Sequence, residues 1–183
     1  MKKIVLLFFA FALISNVALA QRYITKSGHI KFFSSTPVED IEAHNRSVQM
    51  ALDSKTGDVV FKVLMKSFQF EKALMQEHFN ENYVESDKYP NSTFRGKVSD
   101  MGGVDFSSPG KYDVSVEGTL TIHGVSNKIS EKGTLTVTDD GVTAGAFFKV
   151  KPADYEIEIP APVRKNIAKE IEVTVDCNLK KLK

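Results

Sequence analysis

Tyr112-Asp113-Val114-Ser115-Val116-Glu117-Gly118-Thr119-Leu120-Thr121-Ile122 puts an apolar side chain at nearly every second position and a polar one between. Successive side chains of an extended chain point to opposite faces, so a period of two marks a strand with one buried and one wet face. The pattern recurs along the chain. Val48, Met50 and Leu52 alternate with polar neighbours, and Phe61, Val63 and Met65 do so against Lys62 and Lys66. Leu135 and Val137 alternate with Thr134, Thr136 and Thr138. Ile171, Val173, Val175, Cys177 and Leu179 alternate with Glu172, Thr174, Asp176, Asn178 and Lys180. One-faced strands of this kind belong to antiparallel sheet.

Turn residues separate these runs. Ser54-Lys55-Thr56-Gly57-Asp58 and Asp139-Asp140-Gly141 are hairpin signals, and Gly124 to Lys128 forms another short connection. A longer loop runs from Met101-Gly102-Gly103 to Pro109-Gly110. About eight strands are predicted, near 29–34, 46–53, 58–67, 92–99, 111–123, 129–138, 142–150 and 170–181. The fold is all-β. Eight such strands can pack as a sandwich or close as a barrel without edges. At about 3.3 Å per residue the strand at 111–123 would span roughly 40 Å, which makes the inside of a barrel a tube.

Two segments break the alternation. Glu71 to Val84 is predicted as an amphipathic helix, with Met75, Phe79 and Tyr83 on one stripe, Leu74 and His78 beside them, and Gln76, Glu77, Asn80 and Glu81 opposite. Tyr89-Pro90 stops it. Its apolar stripe should lie over the sheet or close one end of a barrel. A second, shorter helix is expected from Pro162 to Lys169, Pro162 suiting a first helical position.

The N-terminus has the order of a secretory leader: Lys2-Lys3, an apolar run from Ile4 to Ile14, then Ala18-Leu19-Ala20. Cleavage is expected after Ala20, giving a signal peptide 1–20 and a single domain 21–183, periplasmic or secreted. No Cys stands at that site to accept a lipid anchor, and no later apolar run is long enough to span a bilayer. Without Lys2 and Lys3, 22 of the 24 basic residues remain against 23 acidic ones. That balance offers no basic field for nucleic acid. The sole cysteine, Cys177, is on the apolar phase of the last strand and reads as a packing residue.

Catalytic constellations are missing. His29, His44, His78 and His123 are scattered, with no Cys pair to complete a zinc set. There is no G-x-S-x-G elbow, P-loop or dinucleotide fingerprint. His78 reads as a packing residue on the apolar side of the helix, and His123 as a hydrogen-bonder at a strand end. His44 falls in the connection after the first strand, where it would order a loop or meet a ligand at a rim. No enzyme, metal or cofactor is expected. The aromatic and Met content fits a packed core or an apolar cavity with adaptable walls, and composition does not choose between them.

His78-Phe79-Asn80-Glu81-Asn82-Tyr83, Asp87-Lys88-Tyr89-Pro90 and Thr93-Phe94-Arg95-Gly96, taken in order, resemble the YceI-like family. Gly118 to Val125, Phe148-Lys149-Val150 with Asp154-Tyr155, and the closing strand Ile171 to Leu182 resemble its later segments. Gly28-His29-Ile30 and Ala43-His44-Asn45 fit its opening, so the resemblance covers nearly all of 22–183. It implies a lipocalin-like, eight-stranded antiparallel barrel with helix over one end, exported, and in some members holding a polyisoprenoid or quinone-like lipid. One departure is Glu131, which falls on the apolar phase between Ile129 and Gly133, where the family more usually has an apolar residue. Either the local register shifts, or a carboxylate faces the cavity or its rim. A charge buried there would need a partner.

The expected partner is therefore a hydrophobic, lipid-like small molecule, with a homodimer left open. Candidate wall residues are Phe61, Val63, Met65, Phe94, Val114, Val116, Leu120, Ile122, Leu135 and Phe148, closed over by Met75, Phe79 and Tyr83. Several of these could instead pack the core, which would make the domain a protein-interaction module; the further alternative is an enzyme acting on an isoprenoid lipid through His78, His44 or Glu131.

Overall fold

The computed structural model describes residues 22–182. The expected leader and cleavage site lie outside them. The chain runs β1 (Arg22–Ser35), β2 (Asp40–Asp53), β3 (Asp58–Leu64), β4 (Gln69–Phe70), α1 (Ala73–His78), β5 (Asn91–Val98), β6 (Gly110–Ile122), β7 (Val125–Thr138), β8 (Gly141–Val150) and β9 (Ile171–Lys181). Every pairing is antiparallel, in the order β1-β9-β8-β7-β6-β5-β3-β2-β4, and β1 also pairs with β2. That last pairing closes eight strands into a barrel. β4 is a two-residue addition that pairs only with Ala43 and His44 of β2.

β1 and β2 are longer than their alternation predicts: β1 gains residues 22–28, across which its pairing with β2 shifts register, and β2 gains 40–45, where the inward Asn45 is polar. Ser34 and Asn45 are buried. Each is kept inside by hydrogen bonds that satisfy it. Asn45 Nδ2 donates to the Leu64 carbonyl (2.9 Å) and its Oδ1 accepts from Ser47 N (2.9 Å). Ser34 Oγ accepts from Ala168 N (2.9 Å). Between the pairs Gly28–Val48 and Ile30–Asn45, β2 carries one extra residue, and Arg46 and Ser47 are both exposed there. This bulge shifts the phase of β2 and conceals the strand from a strict period-two reading.

The extra length of β2 also corrects the position of His44, which lies within the strand on the outer face and not in a connection. Its Nδ1 is 2.9 Å from His29 Nε2, and its Nε2 is 2.8 Å from Glu42. Burial, and then the Arg46 charge, hold His29 below the ordinary histidine pKa.

The helix expected over Glu71–Val84 splits. α1 covers Ala73–His78, and Phe79–Tyr83 continues as a π turn closed by Val84 N donating to Phe79 O (2.9 Å). The helix expected from Pro162 to Lys169 is absent. A single 3-10 turn spans Ala161–Val163, followed by further turns. Forming a short helix there is unfavourable by itself. Tertiary anchors win, with Asn166 Nδ2 donating to Glu39 (3.0 Å) and Ala168 N to Ser34. No helix among the described residues is long and apolar enough to cross a membrane.

One half of the barrel is solid. Tyr23, Leu52, Val59, Val98, Val114, Leu135, Val137, Val142, Ala144, Cys177 and Leu179 are all buried there, contributed by one end of each of the eight barrel strands. Burial in this apolar layer pushes the Cys177 thiol up to about 12. Tyr23 and Phe106 stack across that end (5.5 Å). The floor above is Phe61 against Phe94, ring centres 6.3 Å apart. Gly96 and Gly118 face each other on β5 and β6, and a side chain on either would collide with the Phe94 ring. The glycines thus make room for the ring that seals the floor.

Phe61 and Lys62 test this phase. Phe61→Asp sets a carboxylate against Phe94, where an unpaired charge is costly, and should lower the melting temperature sharply. Lys62→Asp, one residue on and exposed, should change stability by no more than about 0.5 kcal/mol. Thermal denaturation of both variants checks the contrast.

Candidate ligand cavity

Above the Phe61–Phe94 floor the barrel is hollow. A cavity of about 310 Å³ is bounded by Ile30 and Phe32 of β1, Ile41 of β2, Val63 of β3, Leu120 and Ile122 of β6, Phe148 and Val150 of β8, and Ile171 and Val173 of β9. All are on the inward phase of their strands. Met65, Phe68 and Phe70 continue the wall past the end of β3.

Two covers narrow the mouth. The first is α1 with its π turn, which presents Met75, Phe79, Tyr83 and Val84 to the cavity. Phe79 is central: its ring lies 5.5 Å from Phe32, 5.5 Å from Phe68 and 5.1 Å from Phe70. The distances and tilted orientations are those aromatic rings favour. The second cover is the irregular segment 157–167, which contributes Ile157, Ile159, Val163 and Ile167. Asn166, Glu39 and Lys72 lace it to the β1–β2 turn and to the residue before α1.

The far side of the helical cover is clasped by His123. This residue takes a left-handed backbone (φ 51°) at the β6–β7 turn and is nearly buried. Its Nε2 lies 2.7 Å from the Glu85 carboxylate and its Nδ1 3.2 Å from the Tyr155 carbonyl. It joins the end of the π turn to the connection after β8.

Titratable side chains at the cavity are few. Hydrogen bonds from Asn166 and then Lys72 hold the Glu39 carboxyl below its usual range. Burial raises the Tyr83 phenol above its usual range. His78, expected to pack on the apolar side of the helix, is exposed at the mouth. Leu74, expected beside the stripe, is 60% exposed. Among the described residues no group of three His, Cys, Asp or Glu side chains could hold a metal ion.

Residues 19–179 match the YceI-like domain family. The chain belongs to the YceI-like family. Its fold is similar to a polyisoprenoid binding domain from Saccharophagus degradans, at 14% identity and a TM-score of 0.76, covering 89% of this chain and 99% of that one. It is similar to BcnA of Burkholderia cenocepacia (16% identity, TM-score 0.68, 83% and 94% covered). The YCEI protein of Campylobacter jejuni is more distant in shape (18% identity, TM-score 0.55, 75% and 81% covered). No curated protein matches the chain.

In this YceI-like barrel the candidate wall residues divide by height. Val63, Met65, Met75, Phe79, Tyr83, Leu120, Ile122 and Phe148 border the cavity. Phe61, Phe94, Val114, Val116 and Leu135 point inward too, but pack in the floor and the solid half. Sequence reasoning missed the second cover. Its signal was the short alternation Ile157-Glu158-Ile159, hidden among prolines in a segment read as loop and helix. No register shift removes Glu131 from the inward phase, because β6–β7 pairing runs unbroken through Val116–Glu131.

Phe79→Ala should loosen the helical cover. A fully buried Phe→Ala change costs about 3–5 kcal/mol, and this half-buried ring should lose less. Any apolar molecule loaded into the cavity should also leave faster, since affinity changes appear mostly in the off-rate. Stopped-flow release of a fluorescent fatty acid measures this. A lowered melting temperature with an unchanged release rate would reduce the helix to outer packing.

Proposed function

We propose that the protein carries one long-chain, lipid-like molecule of the polyisoprenoid or quinone type, outside the cytoplasmic membrane, and catalyses no reaction on it. The observation that carries this reading is the hollow half of the barrel. An apolar cavity of about 310 Å³, covered by two separate segments, has little to offer water. Its size is at the lower end of the usual range for ligand sites.

Each buried CH₂ contributes about 0.8 kcal/mol, so a hydrocarbon chain gains affinity without polar contacts. The residues proposed to touch it are Val63, Met65, Met75, Phe79, Tyr83, Leu120, Ile122 and Phe148, together with the second cover. Soft Met side chains and rings let such walls adapt to a flexible chain. The similarity to a polyisoprenoid binding domain supports the ligand class. Glu39, bound to Asn166 and Lys72, is not free to act as a base. That supports a carrier over an enzyme, which would need two converging titratable groups. The leader-like order of residues 1–20 supports export.

Mass spectrometry of a solvent extract of the purified, exported protein tests this. The expected result is a prenyl-chain lipid at close to one molecule per chain. Protein that purifies empty and then fails to take up an added prenyl alcohol would contradict it.

A further inference from the structure

We propose that the polar head of the carried molecule leaves the barrel through its side wall, between β7 and β8, where Glu131 accepts a hydrogen bond from a hydroxyl group on it. This rests on the carrier reading above and adds the chemical class of the head.

The wall is incomplete at that seam. β7 begins at Val125 and β8 runs to Val150, yet their pairing stops at Gly133–Ala146. Residues 125–132 of β7 and 147–150 of β8 therefore have no ladder partner across the seam. A cleft of about 400 Å³ lies along it, and Leu120, Phe148 and Val150 border both this cleft and the apolar cavity. The cavity and the cleft thus meet at these three side chains, and the proposed route runs between the two strands and past neither cover.

The cleft is polar where the cavity is not. Glu131 borders it, half-buried and on the inward phase of β7. Among the described residues it accepts no hydrogen bond and joins no ion pair. The neighbouring lysines do not neutralise it. Lys149 is paired with Glu172 and Lys151 with Glu170, each at 3.7 Å, and Lys128 is on the exposed phase. Asn127, the other polar inward residue nearby, is already committed, donating to the Asp154 carbonyl (2.6 Å). An ionised carboxylate is an acceptor only. It suits a head that donates a hydrogen bond, such as an alcohol or a phenol, and repels an anionic one. The carboxylate that interrupts the apolar inward phase of β7 thus becomes a selector of head group.

Binding of a prenyl alcohol, and of the carboxylic acid and diphosphate of the same chain, to wild type, Glu131→Gln, Glu131→Lys and Lys132→Gln tests the proposal. Wild type should prefer the alcohol over the acid by about tenfold. Glu131→Gln should bring the two within about threefold, and Glu131→Lys should favour the acid and the diphosphate. Lys132→Gln, one residue along on the exposed face, should keep the wild-type ratio. Circular dichroism and melting curves verify that each variant is folded. Binding of all three chains with ratios indifferent to residue 131 would overturn the head assignment and leave the carrier standing. Failure of wild type to bind any of them would overturn the carrier reading and the assignment with it.

Discussion

Pairing of β1 with β2 on one side and β9 on the other is the contact on which everything else depends. Without it the sheet would have two open edges, and the inward phase of every strand would need a second layer to cover it. With it, one alternating pattern makes both the solid core and the cavity wall. The joint is tight. Cys177 Sγ packs over Gly28 so closely that a side chain there would strike it. Ser34 then fastens the end of the second cover, at Ala168, and Asn45 fastens the β3 end to the first hairpin through hydrogen bonds, which are expensive to leave unmade when buried.

The difference between the two halves follows from what the barrel interior holds at each height. Toward Leu52, Val142 and Leu179 the inward side chains meet across the axis and exclude solvent. Toward Ile122, Val150 and Ile171 they do not meet, and the gap is closed from outside by the Phe79 cluster and by Ile157, Ile159, Val163 and Ile167. These covers are held by side-chain links such as His123–Glu85 and Asn166–Glu39 more than by ladder pairing. Segments with few backbone ladders are those expected to open locally at low cost. A rigid floor and yielding covers are what a carrier of flexible chains requires.

Much of this was legible in the sequence. Alternation in β3, β6, β7 and β9 announced the strands and their inward faces, and Met75, Phe79 and Tyr83 announced a helix facing the interior. Alternation reports which side of the sheet a residue faces, however, and not its height in the tube. Phe94 and Leu120 are both inward and pair with each other, yet Phe94 seals the floor while Leu120 borders the cavity. Height depends on the register of all eight strands together, which no local window contains. Asn45 hid the start of β2 because its burial rests on a distant partner, and the start of β1 was hidden by the register shift between Thr25 and Gly28. The second cover was hidden for the converse reason: its apolar residues follow the contour of the cavity and no helical or strand period.

The central claim is that an apolar chain occupies the half of the barrel above Phe61 and Phe94. Methyl NMR of the protein titrated with a prenyl alcohol tests it most directly. Methyl signals of Leu120, Ile122, Ile157 and Ile167 should shift and show contacts to the added chain, while those of Leu52, Val142 and Leu179 stay in place. Contacts concentrated on Leu52, Val142 and Leu179, or on exposed methyls such as Val38 and Leu182 alone, would contradict the account.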